Sequence, residues 1–301
     1  MNIDDKPIPV LYNPVAGRGR AARKVARLSE FLTGAGVPHN LIASDAEGDL
    51  EDKVLRIVND GAAGVIIAGG DGSVHEVVNG LLRADNDAAL GVVPVGTGND
   101  FAKACGIPLH WEDAARLLVD RIHNGVPPRP VDAGRVNDRY FANGAGIGFD
   151  AKVNHLARDI RLPIGDLVYL LAVLRGLWDG VITPDVRLAY DDSRRDGPIT
   201  IANFSNGPWV GGMFHIAPMA RNDDGVLDLV LAAPVSRARI LALLPKLIRG
   251  THIGEAEVTH ARVKRCELVA TEPVPSHLDG EVQPLQTRFE IEVLEGALAL
   301  L

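Results

Sequence analysis

The chain changes its hydrophobic period at Pro127-Pro128-Arg129-Pro130, and that break constrains the fold more than any other feature. Upstream, short apolar runs at residues 10–12, 41–43, 65–68 and 90–95 alternate with segments of helical period at 21–32, 50–59, 74–82 and 101–105. Strand-then-helix repetition at this spacing predicts an α/β domain, a parallel sheet with helices on both faces. Downstream, residues 140–143, 186–190, 200–204, 227–231, 258–263, 267–270 and 288–293 read as strands, and Phe289, Ile291 and Val293 alternate onto one face. Helical patterns interrupt this series at residues 151–179 and 236–249. The second half is therefore read as a mainly antiparallel β domain with helical insertions. A chain of 301 residues exceeds what one core usually serves, so two domains are expected, 1–130 and 131–294.

Composition narrows the function classes. A net charge of −8 argues against a broad electrostatic grip on nucleic acid. The opening MNIDDKPIPVLYNP is acidic where a secretory signal would be basic. The longest apolar stretch, residues 162–178, is interrupted by Gly165, Asp166, Arg175 and Gly176. It falls short of the roughly 20 apolar residues that span a bilayer. Its leucines, Val168, Tyr169 and Trp178 recur at helical spacing and are read as core. Cys105 and Cys266 offer neither a disulfide framework nor zinc spacing, which fits a reducing compartment. The expectation is a cytoplasmic protein, soluble or transiently associated with a membrane.

Glycine turns carry the strongest local signal. Gly69-Gly70-Asp71-Gly72-Ser73 stands between a strand and a helix, where glycines let the backbone approach a ligand and the helix N-terminus offers N–H groups to phosphate. The same residues also suit a tight turn in which Asp71 or Ser73 caps the helix. Gly96-Thr97-Gly98-Asn99-Asp100 follows the next strand, and Asn99 or Asp100 is equally suited to cap the helix after it. Asn13-Pro14-Val15-Ala16-Gly17 follows the first strand. Turns after neighbouring strands meet at the edge where open α/β sheets bind ligands, so the three point to one phosphate-rich ligand. Arg18 and Arg20 lie where they could reach its phosphates.

With these turns in place, NPVAGRGRA, GGDGSVHEVVNGL, PVGTGNDFAKACGIP, NGAGIGFDAKV, APMARNDDGVLDLVL and HLDGE resemble the successive blocks of the diacylglycerol kinase catalytic-domain family. That family includes bacterial soluble lipid kinases and the sphingosine and ceramide kinases. The resemblance implies an ATP-binding N-terminal α/β domain, similar to that of NAD kinases and phosphofructokinases. It also implies a C-terminal β-sandwich domain, an active site between the two, and return of the last residues, about 295–301, to the first domain. ATP contacts carry over to Asn13, Pro14, Val15, Ala16, Gly17, Ser44, Gly69, Gly70, Asp71, Gly72, Ser73, Val74, His75 and Thr97. Ser44 and Ser73 stand where threonine is common in the family, and both keep the hydroxyl. A lipid substrate presented at a membrane surface, peripheral membrane contact and a homodimer are further implications.

Phosphoryl transfer needs positioning, charge neutralisation and an oriented nucleophile, and Mg2+ is the usual charge partner. Asp71 at the phosphate turn is the candidate to work with nucleotide-bound magnesium, with Asp100 and Asp132 in the same acidic neighbourhood. If Asp279-Gly280-Glu281 is extended, its two carboxylates share a face, and one is pushed toward a pKa suited to accepting a hydroxyl proton. The family's glutamate at this position is the proton acceptor, which assigns Glu281 as base and Asp279 as its partner. Asp-Gly is also a strong turn signal. The resemblance places a separate magnesium site at the Asp224 side chain and the backbone oxygens of Arg221 and Val226; an Asp-Gly hairpin is the alternative there. His75 and His215 are read as local hydrogen-bonding groups, and Trp209, Met213 and Phe214 as candidate lining for an acyl-chain groove.

Two other functions fit parts of the sequence. A NAD kinase shares GGDG and a β-rich second domain but not GTGNDFAK or NDDGVLDL. A catalytically silent ATP- or lipid-binding module would not need Asp71, Asp279 and Glu281 together.

Overall fold

The computed structural model describes residues 6–16, 20–160 and 167–301. The chain divides into two units, Met1–Val131 with Gly296–Leu301, and Asp132–Glu295. In the first unit β1 (Ile8–Tyr12), α1 (Arg20–Gly34), β2 (His39–Ala43), α2 (Asp49–Asn59), β3 (Gly64–Gly69), α3 (Asp71–Arg83) and β4 (Ala89–Pro94) follow in order. The short α4 (Asp100–Ala104) and α5 (Trp111–His123) come next.

Helix α1 forms because Ala21, Val25, Leu28 and Leu32 repeat on one face, and all four are buried against the sheet and α5. Burial of each of Val25, Leu28 and Leu32 contributes about 1.5–3 kcal/mol. Ile66 and Ala68 of β3 share that core, whereas Val65 and Ile67 point the opposite way and are equally buried. The sheet is thus covered on both faces, as its unbroken apolar strands require. Its strands are parallel in the order β4-β3-β1-β2. The chain steps from β1 to one side and from β3 to the other, which puts the reversal point between β1 and β3. Helix α5 was not among the expected elements: two of the five residues on its buried face are alanines, Ala114 and Ala115, which add little to an apolar pattern.

The second unit takes up β5 (Arg129–Val136), which starts across the boundary, then β6 (Arg139–Phe141), β7 (Gly144–Gly148), α6 (Phe149–Asp159) and α7 (Leu167–Asp179). It continues through β8 (Asp185–Tyr190), β9 (Ser193–Pro198), β10 (Ile201–Ser205), β11 (Leu227–Ala232), α8 (Arg237–Arg249), β12 (Val258–Val263), β13 (Arg265–Leu278) and β14 (Glu281–Leu300). All pairings of β7 through β13 are antiparallel, in the order β12-β11-β10-β7-β13, with β8 added to β13 and β9 to β8. Strand β13 pairs with β8 over 266–270 and with β7 over 276–278, and its register with β14 shifts between Val269 and Ser276. Pro273 and Pro275 stand at the shift, because proline has no N–H to give a ladder. One bent strand therefore serves both layers of a sandwich, and Phe204, Leu229, Leu188, Leu268 and Phe289 fill the space between them. The last residues of β14 pair parallel with β4, Ala299 opposite Ala89.

Helix α7 departs from the core reading given to residues 162–178, of which 162–166 lie outside the described residues. Ala172, Val173 and Leu177 do face a core with α6 and α8. Leu167, Leu171, Leu174 and Trp178 face outward, Trp178 at 84% exposure. Among the described residues no helix is long and apolar enough to cross a membrane.

One buried imidazole ties stability to pH. His252 bonds through Nε2 to the Ile216 carbonyl at 2.9 Å, and burial holds its pKa below the ordinary 6.5. The unfolded chain therefore takes up this proton first, so the contribution is complete above pH 6.5 and is lost as pH falls below it. His215 acts with the same sign for the same reason. Thermal melts between about pH 7.5 and 5.5 are expected to show a shallower decline for His252→Gln than for the unaltered protein; equal slopes would refute the assignment.

Candidate active site

Every strand of the first unit's parallel sheet delivers one turn to the same edge. Tyr12 pairs with Ala43 and Ala68, and Gly69 with Pro94, so Asn13, Ser44, Gly70 and Gly96 emerge side by side. The turns after β1 and β3 flank the reversal point, where such sheets bind ligands. Asn13 shapes its turn by accepting the Val15 N–H on Oδ1 at 3.0 Å. Val15 is exposed, and Pro14 and Ala16 are half-buried. Gly17 and Arg18 lie outside the described residues, as does the Arg20 side chain. Ser44 is buried, and its N–H donates to the Tyr12 carbonyl at 2.8 Å.

The two central turns meet backbone to backbone. A Cβ on Gly96 would lie 2.5 Å from the Gly70 Cα, so no side chain fits between them. Gly70 is the N-cap of α3 with extended backbone, and the Val74 N–H already bonds to the Gly70 carbonyl at 3.0 Å. The N–H groups in the first turn of an α-helix lack intrahelical acceptors, which is what suits such a terminus to an anion. Ser73, Val74 and His75 are buried, and Thr97 is exposed. Asn79 Nδ2 lies 3.4 Å from His75 Nε2, in keeping with a local hydrogen-bonding role for this histidine.

Asp71 does not cap its own helix. Its Oδ1 accepts the Phe101 N–H at 3.3 Å and so links the β3 turn to α4. The N-cap of α4 is Asn99, in left-handed conformation at φ 52°, and its side chain donates back to the Gly96 carbonyl at 3.1 Å. Asp100 pairs with Lys103 at 3.1 Å. Asp132 belongs to another turn: its Oδ2 accepts the Gly225 N–H at 2.8 Å, beside Asp224. Asp132 was expected in the acidic neighbourhood of Asp71; its carboxylate instead holds the turn that carries Asp224.

In the second unit the Asp279-Gly280-Glu281 tract is not extended. Leu278 pairs with Glu281, and Asp279 and Gly280 form the two-residue turn between them at φ 52° and 87°. Both angles are positive, as a type I′ hairpin turn requires. Asp279 and Glu281 therefore do not share a face, and the two carboxylates have different surroundings. Asp279 accepts three backbone N–H groups, from Ala142 at 2.9 Å, Asn143 at 2.8 Å and Gly144 at 3.0 Å. Glu281 opens β14, and its Oε2 accepts from Arg158 of α6 at 3.0 Å, with about a third (32%) of the side chain exposed. Arg158 was missed in the sequence; the available signal was its spacing of four from Asn154 and eight from Asp150 on one helix face.

The turn at residues 221–226 can be tested for a cation on its own geometry. Asp224 Oδ2 pairs with Arg262, while its Oδ1 is buried without a hydrogen-bond partner among the described residues. An orphaned carboxylate oxygen suits a hard cation, with backbone carbonyls completing the shell. Arg221 engages Asp223 at 3.1 Å through its guanidinium, which leaves its carbonyl as the relevant group. Met213 and Phe214 pack in the core shared by α6, α7 and α8, and Trp209 instead stacks on His215 at 4.1 Å.

Comparison with known proteins agrees with this layout. The description "Diacylglycerol kinase catalytic domain" matches residues 7–135, and "YegS C-terminal NAD kinase beta sandwich-like domain" matches residues 144–301. The chain is 33% identical over 276 residues to a protein of Bacillus subtilis named "Diacylglycerol kinase", covering 90% of this chain and 88% of that one. It is 34% identical over 298 residues to a Pseudomonas aeruginosa protein named "Probable lipid kinase YegS-like", covering 98% and 93%. A crystal structure of a diacylglycerol kinase from Bacillus anthracis str. Sterne shares the fold, with a TM-score of 0.75 over 98% of this chain and 96% of that one at 22% identity.

Two substitutions test the geometry. Gly96→Ala forces the turns apart and is expected to weaken ATP binding about tenfold, or about 1.4 kcal/mol, by calorimetry; unchanged affinity would separate the turns from the nucleotide. Asp279→Ala strands three N–H groups and is expected to cost about 1–3 kcal/mol in urea unfolding, with Asp279→Asn losing less.

Proposed function

We propose that this chain, which belongs to the diacylglycerol kinase catalytic-domain family, transfers the γ-phosphate of ATP to the hydroxyl of a membrane lipid, diacylglycerol or a close relative. The observation that carries the reading is the division of roles in the hairpin turn: Asp279 is spent on backbone amides, and Glu281 is accessible and held by one arginine. The names of the relatives support a lipid as acceptor.

When bound, ATP supplies the phosphoryl group, and Mg2+ offsets the charge on its oxygens. The amides of the β3–α3 turn receive the phosphates, and the Gly70–Gly96 contact keeps side chains out of their way. Asn13, Pro14, Val15, Ala16, Ser44 and Thr97 would border the nucleotide, and Asp71 would hold its metal. Glu281 would accept the proton of the lipid hydroxyl as its oxygen bonds to the γ-phosphorus and the bond to the β–γ bridging oxygen breaks, releasing ADP. Arg158 fixes the direction of that carboxylate. Arg221, Asp224 and Val226 hold a second magnesium ion in a structural role, a reading supported by the orphaned Asp224 oxygen.

The acceptor reaches this site from a membrane surface. Leu167, Leu171, Leu174 and Trp178 form an exposed apolar stripe on α7, and an interfacial tryptophan at its end suits peripheral contact with lipid. Tyr169 of the same helix approaches both Gly211 and the Gly280 turn.

The test is labelling from γ-labelled ATP with Mg2+, using detergent-dispersed diacylglycerol, phosphatidylglycerol, a sphingoid base, ceramide and NAD. Glu281→Gln is expected to lower kcat about 10²–10⁴-fold with the KM for ATP unchanged. Labelling of NAD alone would make the chain a NAD kinase, and ATP binding without any labelled acceptor would point to a silent module.

A further inference from the structure

Asp150, Asn154 and Arg158 recur every four residues and lie on one face of α6. Along that face they meet three positions of the β13–β14 hairpin in order. Asp150 Oδ2 lies 3.5 Å from His277 Nε2, and Arg158 Nη1 lies 3.0 Å from Glu281 Oε2. Between them, Asn154 Oδ1 stands 3.6 Å from where a Cβ on Gly280 would lie. Asn154 and His277 are buried at 4% and 1% exposure.

His277 is the centre of this arrangement. Its Nδ1 accepts the N–H of Gly280, the second residue of the turn, at 3.2 Å. The ring's Nε2 is buried without a hydrogen-bond partner among the described residues and lies 3.5 Å from Asp150 Oδ2, so the carboxylate abuts the ring without bonding to it. Asp150 is anchored in turn, its Oδ1 taking the Ala151 N–H at 2.8 Å and its Oδ2 lying 3.4 Å from Asn203 Nδ2. Gly146 of β7 makes the pair possible, because any Cβ there would overlap both the Asp150 carboxylate and the His277 ring.

We infer that Asp150 and His277 are positioning residues for the proposed base: Asp150 confines the His277 ring by packing against it, the ring fixes the Gly280 amide, and the amide sets the direction from which Glu281 leaves the turn. The inference rests on Glu281 being the base. Neither residue touches substrate; both act through the backbone of one turn.

The experiment compares the unaltered protein with His277→Ala, His277→Asn, Asp150→Asn, Glu281→Gln and the double variant His277→Ala/Glu281→Gln. Steady-state kinetics with diacylglycerol in detergent micelles are run beside hydrogen exchange over residues 277–283. His277→Ala is expected to lower kcat about 10- to 100-fold, to leave the KM for ATP within about twofold, and to speed exchange at the turn. His277→Asn keeps an oxygen able to accept from Gly280 and is expected to recover most of the rate and protection. Asp150→Asn is expected to fall between the two. The double variant is expected to be no slower than Glu281→Gln, because a positioning group has nothing left to position. Multiplying losses, or unchanged kcat and exchange in His277→Ala, would overturn the inference. Full activity in Glu281→Gln would sink the base assignment and this inference with it. If no lipid is labelled by the unaltered protein, the substrate reading fails, and exchange alone decides whether His277 holds the turn.

Discussion

Three backbone amides converge on the Asp279 carboxylate, and the arrangement of the second unit's site follows from that bond set. The amides belong to Ala142 and Asn143, which link β6 to β7, and to Gly144, the first residue of β7; the carboxylate belongs to the turn after β13. A charged acceptor shared by three N–H donors is stronger than neutral bonds and fixes direction as well as distance. With Asp279 held there, a two-residue turn of positive φ can have only one orientation, and Glu281 must leave it at the first position of β14. The acidic pair of the motif therefore consists of one residue that builds the turn and one that the turn presents.

The first unit solves a different problem by omission. Its phosphate-facing edge is made by leaving side chains out, most strictly where Gly70 and Gly96 touch. The polar groups around them serve the backbone: Asp71 on Phe101, Asn99 on Gly96, Asn13 on Val15. Backbone therefore dominates the surface at this edge, and the side chains around it are largely committed to holding that backbone in place.

The α/β half was legible because its strands are continuous apolar runs and its helices keep a clean period; α1 and β3 coincide with the helical period at 21–32 and the apolar run at 65–68. Strand β7 was not, since GAGIG looks like a flexible loop until the chains that press on it are known. Strand β13 was visible only over 267–270, because Pro273 and Pro275 mark a bend that local pattern reads as an end. At the site, glycine turns and carboxylates stood out as residue types. Their partners did not, since the Asp279 amides and Arg158 lie 123–137 residues away in the chain. Long-range pairing leaves no local trace, and the Asp-Gly turn signal and the acidic pair occupied the same three letters.

The span between Gly144 and Asp279 also bears on how the protein is made. The turn itself is a local structure that a short piece of chain can close within microseconds. The lock on it spans 135 residues, and closing so long a loop carries a much larger entropic cost that only the assembled sandwich can repay. During synthesis the amides of residues 142–144 leave the ribosome well before their acceptor exists. A chain that has emerged only as far as α8 already has the glycine turns of its first unit but lacks the β13–β14 hairpin that carries Asp279 and Glu281, so the hairpin is locked late.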